Sequence, residues 1–279
     1  MKINIAKSAG FCFGVKRALE IALKTAKSGR KIEMLGDIVH NEDVVKQINK
    51  LGIKKVNYLK KGLNKTILIR AHGADKKLFK EAATLGYSII DATCPMVKEI
   101  HRIATQMENK NFKIIIIGDK KHDEVHGIIG QLKTKALVIE RLDKQTLRKV
   151  KLIDKACVIS QSTQKEEKVF EIVNKLKLYI KRIEFFNTIC IPTRIKQKEI
   201  KSMPRENDLM LIIGSKNSAN TKRLFEISKS LNNNSYWVQS DKNLHKSWFK
   251  GVKRIGITAG ASTPNITTEK IVEHIKKIG

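Results

Sequence analysis

The sequence has little cysteine and no long apolar run. Four Cys among 279 residues are too few for the disulfide framework of a secreted protein, so metal binding or catalysis is the expected use of the thiols. The longest purely aliphatic run, residues 114–117, is far shorter than a membrane span. The start of the chain, residues 1–5, is too short and polar for a signal peptide. We therefore expect a cytoplasmic chain without a membrane segment.

Acidic and aromatic residues are also scarce. The chain carries 56 Lys and Arg against 27 Asp and Glu, a formal charge of +29, and 5% of its residues are aromatic. Strong positive charge attracts nucleic acids, so a basic nucleic-acid-binding protein with a structural metal site stays open as an alternative. The scarcity of aromatic rings weighs against it, because single-stranded nucleic acids stack on such rings. An anionic small substrate or an acidic partner protein fits the charge as well.

Several common motifs are missing. The sequence contains no Walker-type Gly-x4-Gly-Lys-Ser/Thr loop and no Gly-x-Gly-x-x-Gly fingerprint, so we expect neither an NTPase nor a nicotinamide-dependent dehydrogenase. Closely spaced cysteine pairs, typical of structural zinc sites and of ferredoxins, are missing too. A metal site would have to draw its thiolates from distant parts of the chain.

An internal repeat is built on three cysteines. Each is followed, 24 residues later, by a glycine that ends an apolar run: Cys12 by Gly36, Cys94 by Gly118 and Cys190 by Gly214. Four residues past each glycine stands a polar residue, namely His40, His122 or Ser218. Three copies in the same register predict three related modules that each contribute one thiolate to a shared centre.

Each module alternates predicted strands with predicted helices, which is typical of parallel sheets. We therefore predict an α/β fold of three pseudo-repeated modules with small, mostly parallel sheets. The modules are expected at residues 13–95, 96–191 and 192–279, and the N-terminal strand within residues 1–12 is expected to complete the third sheet. Asp75 is placed to cap a helix, residues 141–151 are interpreted as a basic connection, and the third module should begin with a helix over 193–202.

The three repeated cysteines each precede a predicted helix, whereas Cys157 lies in an apolar strand and is interpreted as a core residue. Helix N-termini stabilise thiolates and negatively charged clusters. Three thiolates could hold zinc or an iron–sulfur cluster. Since no fourth ligand accompanies them, one metal position would stay open for a substrate, which indicates a catalytic site.

Polar residues follow the predicted strands, where ligands of parallel sheets bind. They include His40, His72 and His122, with Ser218, Asn220 and Ser262 in the third module. Such side chains, together with helix N-termini, suit a phosphorylated ligand. Glu124 is the carboxylate in these loops with a candidate role as proton donor, and the alternative interpretation is an ordinary solvated acid.

Several motifs together resemble a known enzyme family, the 4-hydroxy-3-methylbut-2-enyl diphosphate reductases of the non-mevalonate isoprenoid pathway. The resemblance runs from about residue 3 to residue 268 and rests on these segments: Gly10-Phe11-Cys12-Phe13-Gly14-Val15, Val39-His40-Asn41, Arg70-Ala71-His72-Gly73, Asp91-Ala92-Thr93-Cys94-Pro95, Gly214-Ser215-Lys216-Asn217-Ser218 and Thr258-Ala259-Gly260-Ala261-Ser262.

The resemblance implies a trefoil of three α/β modules around one 4Fe–4S cluster with one open iron, held by Cys12, Cys94 and Cys190. It implies substrate binding by His40, His72, His122, Thr163, Ser218, Ala219, Asn220 and Ser262, with Glu124 and Thr163 serving the substrate hydroxyl. The implied reaction is reductive dehydroxylation to isopentenyl and dimethylallyl diphosphate, with electrons from a ferredoxin or a flavodoxin.

Three positions depart from the family pattern. Asp123 stands where the family often has Pro, Ala219 where a second Ser is common, and Asn187 where Asp is frequent. Asp123 could change the proton affinity of Glu124, and Ala219 offers a phosphate only its backbone N–H. No departure involves one of the three cysteines, so the expected activity stands.

Overall fold

The computed structural model describes residues 1–278 as alternating strands and helices. The strands are β1 (Lys2–Ile5), β2 (Lys31–Leu35), β3 (Ile53–Val56), β4 (Lys65–Ile69), β5 (Ser88–Asp91), β6 (Lys113–Ile117), β7 (Leu137–Ile139), β8 (Lys155–Ser160), β9 (Arg182–Phe185), β10 (Leu209–Ile213), β11 (Ser235–Val238) and β12 (Arg254–Ala259). The helices are α1 (Phe13–Ala26), α2 (Glu42–Lys50), α3 (Lys76–Thr84), α4 (Pro95–Asn109), α5 (Asp123–Ile129), α6 (Lys144–Val150), α7 (Glu166–Leu176), α8 (Ile191–Glu206), α9 (Ala219–Leu231) and α10 (Asn265–Ile278), with short 3₁₀ turns at Asp241–Asn243 and Lys246–Phe249.

The strands form three four-stranded sheets, ordered β3-β2-β4-β5, β7-β6-β8-β9 and β11-β10-β12-β1, and all their pairs are parallel. The three sheets share one topology, in which the first strand of the module lies between its second and third strands. The predicted α/β fold with three small parallel sheets is confirmed.

In the first two sheets the fourth strand, β5 or β9, is the one that precedes the cysteine of the next module. In the third sheet this fourth position is taken by β1. Its residues pair with β12, Ile3 opposite Ile255 and Ile5 opposite Ile257. The predicted completion of the third sheet by the N-terminal strand is therefore confirmed. The exact limits of the three modules stay a prediction.

The cores form because these strands are covered on both faces, as parallel sheets usually are. In β6, Ile115 and Ile117 enter one buried cluster while Ile114 and Ile116 enter another. Strand β10 does the same, since its five residues are all buried and alternate between two clusters. A short aliphatic run therefore supplies apolar side chains to two helix layers at once.

Some elements differ from the expectations drawn from the sequence. The connection at residues 141–151 contains α6, whose N-cap Asp143 accepts a hydrogen bond from the Thr146 N–H. Helix α8 is longer than expected and includes Pro204 in its last turn. The expected capping by Asp75 is confirmed, because its carboxylate accepts the Lys77 N–H of α3 at 2.7 Å.

The described chain divides into two compact units. The first comprises residues 1–16, 39–46 and from 190 onward, and it contains the sheet completed by β1. The second comprises residues 17–38 and 47–189 and contains the other two sheets. Within residues 1–278, no helix combines the length and the apolar composition that a membrane crossing requires.

The two sheets of the second unit are linked where α3 begins and α5 ends. The Lys76 N–H donates to the Gly130 carbonyl, and the Gln131 side chain donates to the Ala74 carbonyl at 2.8 Å. A β-carbon on Gly130 would lie 2.4 Å from Asp75 Cγ and 2.7 Å from Asp75 Cα. Only glycine fits this approach, because the nearest obstacle includes backbone.

We predict that Gly130→Ala lowers the free energy of unfolding by about 1–3 kcal/mol, the usual cost of forcing atoms into a packed contact. Urea unfolding measures the change. Lys80→Ala, on the exposed face of α3, is the control and should stay within about 0.5 kcal/mol of the unaltered chain. Equal stability of the Gly130→Ala variant would show that the link between α3 and α5 is loose.

Candidate functional site

The predicted site residues follow equivalent strands of the three sheets. The first strand of each module lies between the second and the third strands. The chain therefore leaves the first strand towards one edge of the sheet and the third strand towards the other edge. Ligands of parallel sheets bind in the crevice between two such neighbouring strands, at their carboxyl ends. Five residues past the first strands stand His40, His122 and Ser218, and three residues past the third strands stand His72, Thr163 and Ser262.

In the first unit, the loop after β10 ends in the N-terminus of α9. The Ser218 hydroxyl caps this helix by accepting the Thr221 N–H, so Ala219 and Asn220 form its first turn. Asn220 is 4% exposed, and neither polar atom of its side chain has a hydrogen-bond partner in the described residues. A buried amide in this state, beside the free N–H groups of a helix N-terminus, is suited to an anionic ligand.

His40 lies in the same unit and is tied to the same loops. Ser262 donates its hydroxyl hydrogen to the His40 carbonyl at 3.0 Å. The Glu42 carboxylate accepts hydrogen bonds from Ser215 Oγ at 2.8 Å and from Asn217 Nδ2 at 3.1 Å. The first unit therefore brings together the predicted residues His40, Ser218, Ala219, Asn220 and Ser262.

In the second unit, His72 and His122 lie edge to face, with ring centroids 5.7 Å apart. His122 is the N-cap of α5, and its Nδ1 accepts the Glu124 N–H at 3.1 Å. In the neutral ring the hydrogen therefore lies on Nε2, which makes that atom a hydrogen-bond donor.

Asp123 forms an ion pair that the sequence did not suggest. Its carboxylate lies 2.7 Å from Arg70 Nη1, so it connects the loop of His72 with the loop of His122. The guanidinium lies against Gly36, where a β-carbon would approach Nη1 to 2.5 Å and where the backbone φ is +74°. The Arg70 guanidinium therefore offsets the negative charge of Asp123 next to His122.

Glu124 is buried and differs from the solvated loop acid of the alternative interpretation. It is 2% exposed, and its two carboxylate oxygens accept the Ser162 N–H and the Ser162 hydroxyl, both at 2.6 Å. Burial raises the pKa of Glu124, and the two hydrogen bonds from Ser162 oppose that rise only in part. This carboxyl group therefore holds its proton to higher pH than an ordinary one.

Thr163 is not in direct hydrogen-bond contact with Glu124, although both were expected to serve the same proton route. Its Oγ1 accepts a hydrogen bond from Gln161 Nε2 at 2.9 Å, and the neighbouring Ser162 makes the contacts to the carboxylate. Sequence reasoning missed Ser162, whose only signal is its place in the polar segment after β8.

The three repeated cysteines each begin a helix of 14 to 16 residues. Cys12 precedes α1, while Cys94 and Cys190 are the N-cap residues of α4 and α8. All three are partly exposed and form no disulfide in the described chain. The Cys12 N–H donates to the carbonyl of Ala261, next to Ser262, and the Cys94 N–H donates to the carbonyl of Ala71, next to His72.

This donor set fits an iron–sulfur cluster, because such clusters take thiolate ligands and helix N-termini stabilise thiolates. Cys157 is different. It is fully buried in the core of the second unit, and burial raises the pKa of its thiol to about 12. The interpretation of Cys157 as a core residue is confirmed.

A cavity of about 770 Å³ in the second unit lies away from these residues. It is lined by the first residues of β6, β7 and β8, with Lys113 and Lys155 among them. Since the predicted ligands follow the opposite ends of the same strands, this cavity is not part of the candidate site.

Comparison with known proteins identifies close relatives over the full chain. The family model described as LytB protein matches residues 3–276. The 4-hydroxy-3-methylbut-2-enyl diphosphate reductase of Aquifex aeolicus is 38% identical over 282 residues, covering 99% of this chain and 96% of that protein. The protein of the same name from Campylobacter jejuni subsp. doylei is 40% identical over 281 residues, covering 100% and 99%.

Two solved structures are similar as well. One is (E)-4-hydroxy-3-methyl-but-2-enyl diphosphate reductase, described as the terminal enzyme of the non-mevalonate pathway, with 37% identity, a TM-score of 0.74 and coverage of 99% of this chain and 100% of that one. The other is the E-1-hydroxy-2-methyl-but-2-enyl-4-diphosphate reductase of Plasmodium falciparum, with 28% identity, a TM-score of 0.90 and coverage of 98% and 87%.

We predict that Glu124 makes the folded protein lose stability as the pH rises. Because its pKa is raised on folding from the ordinary value of 4.5, the folded state binds more protons than the unfolded state above that pH. The free energy of unfolding therefore falls between pH 4.5 and the raised value. Glu124→Gln should remove that slope, so the variant gains stability relative to the unaltered chain as pH rises towards neutrality.

Glu108 is the matched control with the opposite sign. Burial alone would raise its pKa, but hydrogen bonds from Lys133 and Thr134 outweigh burial and lower it. Glu108→Gln should therefore cost stability at neutral pH, and the difference should vanish as pH falls through the lowered value. Urea unfolding over a pH series measures both. Parallel curves for Glu124→Gln and the unaltered chain would mean that Glu124 titrates as an exposed acid.

Proposed function

We propose, from the premise that this chain belongs to the LytB protein family, that it is an iron–sulfur reductase acting on 4-hydroxy-3-methylbut-2-enyl diphosphate. The reaction replaces the allylic hydroxyl by hydrogen, giving isopentenyl or dimethylallyl diphosphate and water, as the last step of the non-mevalonate pathway. It consumes two electrons and two protons. The family relationship favours this reaction over nucleic-acid binding.

The observation that carries the proposal is the equivalent position of three partly exposed thiols, each at the start of a long helix. Cys12, Cys94 and Cys190 hold one 4Fe–4S cluster, while Cys157 stays in the core. When bound, the cluster supplies single electrons and, at the iron without a cysteine ligand, Lewis acidity.

The diphosphate is bound by residues that follow the first and third strands. Asn220 and the N–H groups of the first turn of α9 are one part, which is supported by the burial of the unpaired Asn220 amide. Ala219 contributes its backbone N–H, since it lacks the hydroxyl that relatives often have there. The full set of diphosphate ligands is His40, His72, His122, Ser218, Ala219, Asn220 and Ser262.

The histidines need no net charge of their own, because each neutral ring keeps one N–H donor. Arg70 supports their role by pairing with Asp123, so the carboxylate beside His122 does not oppose the anion. The Asp123 carboxylate is therefore already paired with a cation, which argues against Asp123 as the proton donor.

Glu124 supplies a proton to the leaving hydroxyl by way of Ser162 or Thr163. A leaving hydroxyl needs a proton, and a useful donor keeps its proton near neutral pH. Burial raises the pKa of Glu124 and so favours this role, and the Ser162 hydroxyl at 2.6 Å is a group able to pass the proton on. Thr163, the next residue, binds the substrate hydroxyl.

The electron donor is a ferredoxin or a flavodoxin. These carriers are typically acidic, and complementary charge speeds the encounter of two proteins. The formal charge of +29 on this chain supports such a partner.

We predict that replacing any one of Cys12, Cys94 or Cys190 by Ser abolishes most cluster binding, whereas Cys157→Ser retains it. Iron content and visible absorption after anaerobic purification measure this. Loss of the cluster only in the Cys157→Ser variant would contradict the ligand assignment. A colourless zinc protein that retards RNA in a gel would support the nucleic-acid alternative instead.

We further predict that Glu124→Gln keeps the cluster but loses turnover by about a hundredfold or more, the loss typical of a missing general acid. Asp123→Asn, its neighbour, is the matched control and should have a mild effect. Turnover is measured with a chemical reductant, so that docking of a carrier protein has no influence. An inactive Asp123→Asn variant beside an active Glu124→Gln variant would refute this proton route.

A further inference from the structure

A lysine lies buried in the first unit near two of the proposed cluster ligands. Lys196 is on α8, six residues after Cys190, and is only 2% exposed. Lysine is almost never fully buried unless its charge is paired. Its position therefore needs an explanation that ordinary helix packing does not provide.

The Lys196 side chain binds three backbone carbonyls. Its Nζ donates to the carbonyls of Ser8, of Gly10 at 3.0 Å and of Ala259 at 3.0 Å. Three acceptors require three N–H donors, which the ammonium has and the neutral amine lacks. Burial lowers the pKa of Lys196 to about 8, opposed by the charges of Cys12, Glu199 and Cys190, so the group is charged at neutral pH.

The nearest carboxylate on the same helix is engaged elsewhere. Glu199, one turn further along α8, accepts the N–H of Lys7 at 2.7 Å, the N–H of Ser8 at 3.0 Å and the Ser8 hydroxyl. In the described chain no carboxylate forms an ion pair with Lys196. Both side chains thus hold the loop that leads to Cys12, but the positive charge of Lys196 has only carbonyl dipoles as direct partners.

A buried charge without a direct counter-ion is costly, and an apolar side chain of similar size would often be better. The cost is offset if a negative group sits nearby. Lys196 binds the Gly10 carbonyl, two residues before Cys12, and lies on the helix that Cys190 caps, so negative charge on these two cysteines acts on Lys196. When those two cysteines hold a cluster, its negative charge is a counter-charge to Lys196 in addition to that of Glu199.

We infer that Lys196 is a positioning residue that fixes the Cys12 loop and acts as a buried counter-charge to the cluster, favouring its reduced form. The inference rests on the proposed function. It follows from charge alone, because reduction makes the cluster more negative and a fixed cation stabilises the more negative state. Net charge around a cluster is one of the factors that set its reduction potential.

The test is a redox titration of the cluster in the anaerobically purified full chain, followed by absorption and electron paramagnetic resonance. Lys196→Met should shift the one-electron reduction equilibrium about tenfold towards the oxidised form, a potential about 59 mV lower. Lys196→Gln, which keeps hydrogen-bond donors but not the charge, should shift it in the same direction. Lys196→Arg, which keeps the charge, should stay within about twofold of the unaltered chain.

Glu199→Gln is the matched control, since it weakens the same loop but removes a negative charge. It should shift the equilibrium towards the reduced form. A fall in potential in this variant equal to that of Lys196→Met would show that the potential depends only on the geometry of the loop. That result would overturn the role of Lys196 as a counter-charge. If the neutral Lys196 variants do not fold, the direction of the Glu199→Gln shift decides alone.

The same titration separates this inference from the proposed function. An unaltered chain that binds no cluster would overturn the proposed function. A cluster in the unaltered chain, with an unchanged potential in Lys196→Met and Lys196→Gln, would overturn only the role of Lys196.

Discussion

Parallel pairing in one strand order is the constraint on which the rest of the structure depends. Each sheet places its first strand between the second and the third, so the chain diverges at the carboxyl ends of two neighbouring strands. All the polar residues proposed to bind the substrate stand just beyond those ends, and each proposed thiol follows a fourth strand. The chemistry of the site is therefore set by a topology that is repeated three times.

The repeat was predictable from the sequence because Cys, Gly and a polar residue recur in fixed register, and because aliphatic runs such as residues 114–117 indicate buried strands. The edge strands β3, β7 and β11 were not predicted, since each has only three or four residues. Contacts such as Arg70–Asp123 and Glu124–Ser162 join residues 53 and 38 positions apart. Local sequence patterns do not predict such pairs. In the sequence, Lys196 does not differ from the other lysines of its helix.

The two neighbouring acidic residues at the candidate site, Asp123 and Glu124, differ in how the protein compensates their charge. Asp123 is paired with Arg70, whereas Glu124, its neighbour, is buried and accepts hydrogen bonds from Ser162. Two adjacent acids thus have different environments: Asp123 lies beside a guanidinium, and burial raises the pKa of Glu124. The proposed proton donor, Glu124, therefore differs from Asp123 in its packing, since both side chains are carboxylic acids.

The pairing of β1 with β12 has a consequence for the order of events during synthesis. Lys2 pairs with Arg254, so the first strand to be made must wait for about 250 further residues, roughly 12–50 s at typical translation rates of about 5–20 residues per second. Until then β1 has no partner in its sheet, and the N–H of Cys12 lacks the carbonyl of Ala261. The backbone at Cys12 is thus not held in place until residue 261 has been made, and the proposed metal binding by this thiol follows that step.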